Sequence, residues 1–341
     1  MGFLSKLLSM FTKTSEAKVS VTKQGSTNAP SSDLPPYQGD YAKTIFLWAH
    51  NKPSPIKSND NYARYFLYEC GISNPSEFHL NLINDGYFKK APIDTVLNSL
   101  KVAELKEILS SLAQPVTGKK DALIERILSI ADEDAINSFC KEDLFVLSEN
   151  GELFLSQHSD YVQLHTHKNW GITWQEYDTN HRSGISFYDT VWGILNKRIL
   201  QDQQNFGRGE YFHMYQLLVE EGKRERAIEM LLRVLYIDLS GVYGMNSYKM
   251  YKSGFYNKKD LFEHFDVAIM LAPGIVHPIA EFKDVYSDEI ANRLYEQKLP
   301  VQICDKKLFL TLVHSILDGT YDESEFEKKL QSAYNKFIKS L

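Results

Sequence analysis

Pro115 divides residues 93–130, IDTVLNSLKVAELKEILSSLAQPVTGKKDALIERILSI, into two pieces that no single helix can join, because proline lacks the amide a helix needs. On its N-terminal side Leu105, Ile108, Leu109 and Leu112 recur at i, i+3, i+4 and i+7; on its C-terminal side Leu123, Ile124, Ile127 and Leu128 repeat the pattern. Proline also drives Gln114 towards extended backbone, so residues 113–116 are expected as a taut link. The unit is helix, extended link, helix.

Thr117 stands where a hydroxyl would cap the second helix by accepting from the amide of Lys119 or Lys120. Lys119 and Lys120 then fall in the first turn, where the positive end of the macrodipole makes a lysine cost about 0.3–1 kcal/mol. A bound anion reverses that sign. Gly118 lets a ligand approach the backbone, first-turn amides point outward and two ammonium groups flank them, which describes a phosphate-sized site. An ordinary solvated helix start presents the same residues.

The run Leu105, Lys106, Ile108, Leu109, Pro115, Val116, Gly118, Lys119, Lys120, Leu123, Ile124, Arg126 and Ile127 resembles the SAP domain, a helix-extended-helix module of about 35 residues. The resemblance covers about a tenth of the chain. It implies binding to double-stranded DNA, AT-rich duplex above all, and the tethering of another activity to it. By position it makes Gly118, Lys119, Lys120 and Arg126 the DNA-facing residues, with Thr117 as cap and Lys106 assisting. The sequence departs from the family pattern at Lys101, where a hydroxyl cap is common, so the start of the first helix is open.

Charge limits what such a module can do. Lys101, Lys106, Lys119, Lys120 and Arg126 face Asp94, Glu104, Glu107, Asp121 and Glu125, five against five, and the whole chain carries −6. Affinity for a polyanion grows with the phosphates neutralised, so two or three contacts give weak, salt-sensitive binding. Any DNA contact is local.

The 341 residues suffice for two or three domains. Cys70, Cys140 and Cys304 are widely spaced and odd in number, which fits a reducing cytoplasm and gives no zinc-finger or disulfide framework. No run of eighteen apolar residues is present, so no transmembrane segment is expected.

In order, residues 1–40 comprise an amphipathic segment, with Phe3, Leu4, Leu7, Leu8 and Phe11 on one helical face beside Lys6 and Lys13, and then a Ser-, Thr- and Pro-rich linker. Residues 41–92 read as a short helical bundle with Asn74 or Ser76 as a cap, and Phe88, Ile93, Val96 and Leu97 are expected to pack it onto the module at 93–131. Residues 132–169 form a connector in which Leu144–Leu147, a turn at Glu149, Asn150 and Gly151, and Leu153–Leu155 read as a β-hairpin. Residues 170–341 are helical, with one tetratricopeptide-like pair turning at Gly222 and no second copy at a fixed period. The fold class is mainly α with a small β-hairpin.

Chemical motifs are sparse. His165 and His167, two apart, would share a face on a strand as metal ligands can, with His158 and His181 near in sequence, but no ligand set is completed and the aromatic neighbours favour packing. Residues 240–260 alternate Tyr243, Tyr248, Tyr251, Phe255 and Tyr256 with Lys249, Lys252, Lys258 and Lys259, as a base-stacking surface would or, the preferred reading, as a loop packing its rings on the body. Asp266, Glu281 and Lys283 mimic the spacing of a PD-(D/E)xK nuclease, provided DVAIML and IAEFK are strands. Pro273, Pro278 and the helical pattern after Phe282 oppose that. No P-loop, GxGxxG, GxSxG or HExxH is present, and no catalytic residue, metal site or cofactor is assigned.

The expectation is a mainly α, cytoplasmic protein in which a weak DNA-binding module positions a helical body, and that body is a possible protein-binding surface. Two rival readings are an assembly component without DNA binding and a metal-dependent nuclease.

Overall fold

A computed structural model describes residues 35–139, 142–201, 206–242, 245–263 and 269–341, so the amphipathic start and most of the linker after it lie outside the described residues. Among the described residues the chain is mainly α with one small antiparallel sheet, as its pattern predicts. Among the described residues no helix is long and apolar enough to cross a membrane.

The first core is built by α1 (Gly39–Ala49), α2 (Tyr65–Tyr68), α3 (Pro75–Asn84) and strand β1 (Phe88–Lys90). Asn74 caps α3, its Oδ1 accepting from the Glu77 amide at 3.2 Å, with Pro75 at the first helical position where its missing amide costs nothing. Ile45, Phe46, Phe66, Leu82 and Phe88 fill the interior.

The chain then leaves this core through α4 (Ile93–Ser99), α5 (Val102–Ser111), α6 (Lys120–Ile130) and α7 (Glu133–Phe139), and returns in β2 (Phe145–Leu147). β2 lies antiparallel against β1 with Phe88 opposite Leu147, Lys89 opposite Val146 and Lys90 opposite Phe145. The pairing extends at both ends: Ala91 donates to the Leu144 carbonyl at 2.8 Å and Ser148 to the Tyr87 carbonyl at 2.9 Å. Ser54 exchanges two backbone hydrogen bonds with Phe145, so β2 is held on both edges.

Residues 145–147 are therefore the expected strand with an unexpected partner. The Asn150-Gly151 turn does not form; α8 (Glu149–Gln157) begins there, capped by Ser148 Oγ accepting from the Gly151 amide at 3.2 Å. Gly151 is needed for space, since a Cβ there would come within 2.2 Å of the Tyr87 carbonyl oxygen. A hairpin reading cannot see this, because the competing partner lies 57 residues upstream.

The excursion has its own core. Leu97, Leu105, Ile108, Leu109, Leu123, Ile124, Ile127 and Ile136 cluster together, with Ile93 against them, while Phe88 belongs to the first core. Three of the four residues expected to join bundle and module are thus split between two interiors, and the fourth, Val96, is buried outside both clusters.

After β2, α8 and α9 (Ser159–Thr166) pack back on α1. His165 and His167 lie on and just beyond a helix, not on a strand, and each has a carboxylate: His165 Nδ1 meets Glu69 Oε1 at 2.7 Å and His167 Nε2 meets Glu220 Oε1 at 2.9 Å. Burial alone would raise the Glu69 carboxyl, but hydrogen bonds from His165, Lys168 and Tyr41 outweigh it and hold it down at about 2.

The third core is built from α10 (Trp174–Asn180), α11 (Phe187–Gln201), α12 (Arg208–Glu220), α13 (Arg224–Ser240), α14 (Met245–Lys252) through Tyr251 and, after α15 (Lys258–Phe262) in the chain, α16 (Pro273–Ile279), α17 (Asp288–Glu296), α18 (Lys306–Leu317) and α19 (Glu323–Ser340). α12 and α13 are the anticipated helix pair, joined through Gly222 at φ +70°. α13 is buried along most of its length, and Arg208 forks onto the fully buried Asp238 with Nε and Nη2 each at 2.8 Å. Phe326, Leu330 and Tyr334 dock α19 on the same core.

His79, wholly buried among Phe46, Tyr62 and Phe88, gives the fold a pH dependence. Burial, with the neighbouring His50 and Lys57 charges, holds its pKa down at about 4. Between that value and about 6.5 the unfolded chain binds a proton that the folded chain refuses, so stability falls as pH falls, by up to about 1.4 kcal/mol per unit from this residue. Denaturant titrations at pH 7 and pH 5 should show a smaller loss for His79→Leu than for the wild type; equal losses would refute the assignment.

Candidate nucleic-acid interface

Helix α5 starts without a hydroxyl cap. Lys101 occupies the N-cap position in extended conformation, and the Glu104 carboxylate reaches back to accept from the Lys101 amide at 2.6 Å. Glu104 is thus half of a capping box, and its place three residues after Lys101 is the sequence signal for it. Leu105, Ile108 and Leu109 turn inward, leaving Lys106 exposed with no ion pair among the described residues.

The helix ends in a tight reversal. The Ala113 amide donates to the Ser110 carbonyl at 3.0 Å and the Gln114 amide to the Leu109 carbonyl at 2.8 Å, the paired bonds of a Schellman motif. Ala113 therefore sits at φ +54°, in the left-handed region where a Cβ costs roughly 1–2 kcal/mol. From there Pro115 and Val116 carry the chain across to α6.

Arg126 holds that crossing in place. Its Nη1 donates to the Pro115 carbonyl at 2.5 Å and to the Thr117 carbonyl at 3.1 Å, tying the middle of α6 to the link that precedes it. The guanidinium read from sequence as facing DNA is a clamp on its own module. Nothing in the spacing of residues 115, 117 and 126 reveals this, since it depends on how the link crosses α6.

α6 begins later than its residue types imply. Gly118, at φ +135°, makes a turn that residues with a side chain rarely adopt, and Lys119 becomes the N-cap in extended conformation. Thr117 is not the cap; it lies one residue before that turn, and no side chain caps α6 at all. Helical pairing starts with the Leu123 amide on the Lys119 carbonyl, at 3.1 Å, leaving the earlier amides without helical partners.

The two lysines have different duties. Lys120 is half-buried, and its Nζ donates to the Asn98 carbonyl at 2.6 Å, closing the last turn of α4. Lys119 is exposed, with no ion pair among the described residues. Thr117, Gly118 and Lys119 thus form an open, uncapped helix start with one uncommitted ammonium. Asp121 in the same turn complements the macrodipole and opposes a second negative charge.

Residues 96–129 match the SAP domain family model. This segment is a SAP domain. It points to nucleic-acid binding in general, and the rest of the chain has no family assignment. No curated protein and no solved structure matches the chain.

The other candidate sites change character. Residues 245–252 and 258–262 are helical and not the expected loop; Phe255 is 76% exposed, Tyr251 and Tyr256 are half-buried, and Tyr243 and the Tyr248 side chain lie outside the described residues. Glu281 falls in a 3-10 turn (Ala280–Phe282) directly after α16, and Lys283 pairs with Asp318 at 2.9 Å, so the IAEFK strand required by the nuclease pattern is absent. Asp266 lies outside the described residues. No group of three His, Cys, Asp or Glu side chains able to hold a metal occurs among the described residues.

Two substitutions test this anatomy. Ala113→Gly should stabilise the SAP domain by about 0.5–1 kcal/mol, the relief of left-handed strain less the extra freedom of unfolded glycine. Lys120→Ala should destabilise it by about 1 kcal/mol through the lost bond to Asn98. Amide exchange of Leu105, Leu109 and Leu123 measures both, and a change of the opposite sign in either variant would contradict the geometry.

Proposed function

We propose that this protein binds duplex DNA weakly through its SAP domain and uses that contact to position the helical body. The observation that carries the reading is the uncapped start of α6 inside a segment matching the SAP domain. A DNA phosphate there would accept from first-turn amides, with Lys119 supplying charge and Gly118 the close approach. Lys106 is exposed on α5 as a further phosphate contact. Thr117 borders the turn, while Lys120 and Arg126 act indirectly, by holding α4 and the link where the helix start needs them.

Few cations make this a weak contact. With one to three phosphates neutralised, log affinity falls against log salt with a slope of roughly −0.9 to −2.7, so a single contact loses about three- to fourfold between 50 and 200 mM salt. The helical body is the part of the chain that such a contact would position, with residues 170–341 as the region open to a protein partner. The free, buried Cys70 and Cys304 accord with action in the cytoplasm.

Titration of an AT-rich duplex across that salt range should give saturable, salt-dependent binding. Lys119→Ala should weaken it several-fold and reduce the slope by about one without altering stability. If no salt-dependent binding is seen, the module serves assembly and not DNA; binding unchanged by Lys119→Ala would remove the phosphate site.

A further inference from the structure

Helix α1 ends on a histidine whose two ring nitrogens differ in their surroundings. His50 is 5% exposed, and its Nδ1 meets the Phe46 carbonyl one turn back at 2.8 Å. A carbonyl only accepts, so Nδ1 carries the proton of the neutral ring and Nε2 is left as a lone pair. Burial and the nearby Lys57 charge hold the ring's pKa below its ordinary value, against the opposing effect of the Phe46 bond, which keeps it neutral at neutral pH. Nε2 has no hydrogen-bond partner among the described residues, and unlike Nε2 of His79 it is not sealed inside the core.

His50 lines a cleft of about 510 Å³ between the end of α1 and residues 57–66, and residues 49–66 are described without a break. Tyr62 and Phe66 are buried rings in its wall and Tyr65 a half-buried one, which suits a flat aromatic ligand. At its rim Lys57 and Asp60 are exposed, and neither has an ion pair among the described residues. The cleft therefore offers one donor, Lys57 Nζ, and two acceptors, His50 Nε2 and the Asp60 carboxylate. Guanine carries the complementary set on one edge of a flat ring, where O6 accepts while N1–H and the 2-amino group donate. Adenine, cytosine and thymine each have one donor group on that edge and leave an acceptor unmatched.

We infer that this cleft binds a guanine base, with N1–H on His50 Nε2, the 2-amino group on Asp60, O6 on Lys57 and the ring against the aromatic wall. A free nucleotide and an unpaired guanine in a strand present the same edge. The inference does not depend on the SAP contact.

Calorimetric titration of the full chain with guanosine, inosine and adenosine 5′-monophosphates tests it, since all three carry the same phosphate. The guanosine nucleotide should bind about tenfold more tightly than the inosine one, which lacks only the 2-amino group, and than the adenosine one. Asp60→Ala should abolish the preference over inosine, and Lys57→Met and His50→Phe should each weaken guanosine binding about tenfold. Lys57 and Asp60 are exposed, so their loss tests the cleft without disturbing the core. Equal affinity for the three nucleotides would reduce the cleft to an anion contact and overturn the proposal. So would a guanine preference unmoved by the substitutions, or no binding of any of the three. A single-stranded oligonucleotide with one guanine, compared with its hypoxanthine counterpart, separates the sources: a preference kept in the strand assigns the cleft to an unpaired base, and one confined to the monophosphate assigns it to a free nucleotide.

Discussion

The antiparallel pairing of β1 with β2 is the constraint on which the rest depends. Each strand is only three residues long, and an isolated pair of that length has no stability of its own. It persists because Phe88 and Leu147 are buried in the first core, because Ser54 pairs with the outer edge of β2, and because Lys90 meets Asp143 at 3.0 Å at its mouth. Everything between Ala91 and Leu144, the whole SAP domain included, is a loop closed by this clasp. Closing a loop of some fifty residues costs several kcal/mol of chain entropy, with only a weak further dependence on length, so the domain inside is tolerated as an insertion.

Attachment at both ends changes what the SAP domain can do. A domain on one linker samples many orientations, whereas one entering and leaving through adjacent strands is restricted to rotations that both strands permit. The two interiors stay separate, so the clasp transmits position without merging the cores. Inside the domain the same economy recurs on a smaller scale: Arg126 spans the link and Lys120 spans to α4, so two of its five cations are spent on geometry.

Local period was readable wherever one segment decides its own state. Leu105, Ile108, Leu109, Leu123, Ile124 and Ile127 point inward as the helical spacing requires, although Leu128 of the same stripe is exposed, and the Gly222 turn between α12 and α13 falls where the pattern breaks. Features set by a distant partner were not readable. Asn150-Gly151 is a strong hairpin signal, yet β2 had a better partner in β1, and Ser148 took Gly151 as the first turn of a helix. The site divides in the same way. Gly118 and Lys119 are legible because the turn and the exposed charge belong to one short run, while the roles of Lys120 and Arg126 rest on carbonyls 22 and 11 residues upstream. Thr117 lies two residues before the cap position, since residue preference for a cap carries no sign of the left-handed turn that Gly118 inserts.

A neutral module with one uncommitted lysine at its helix start is poorly suited to hold DNA alone. With Lys120 and Arg126 both committed to backbone carbonyls, at most three of the module's five cations, Lys101, Lys106 and Lys119, remain for phosphate, and this limits the affinity. The body cannot make up the difference through bulk charge, because the chain as a whole is acidic at −6. Strength must then come from number and geometry: several such contacts presented together reach high avidity only if their orientations are compatible. A module clasped at both ends meets that requirement better than one on a free tether. On the proposed reading, the helix-start contact and the β1–β2 closure act together, since a low-affinity contact would gain selectivity from being held at both ends of the module.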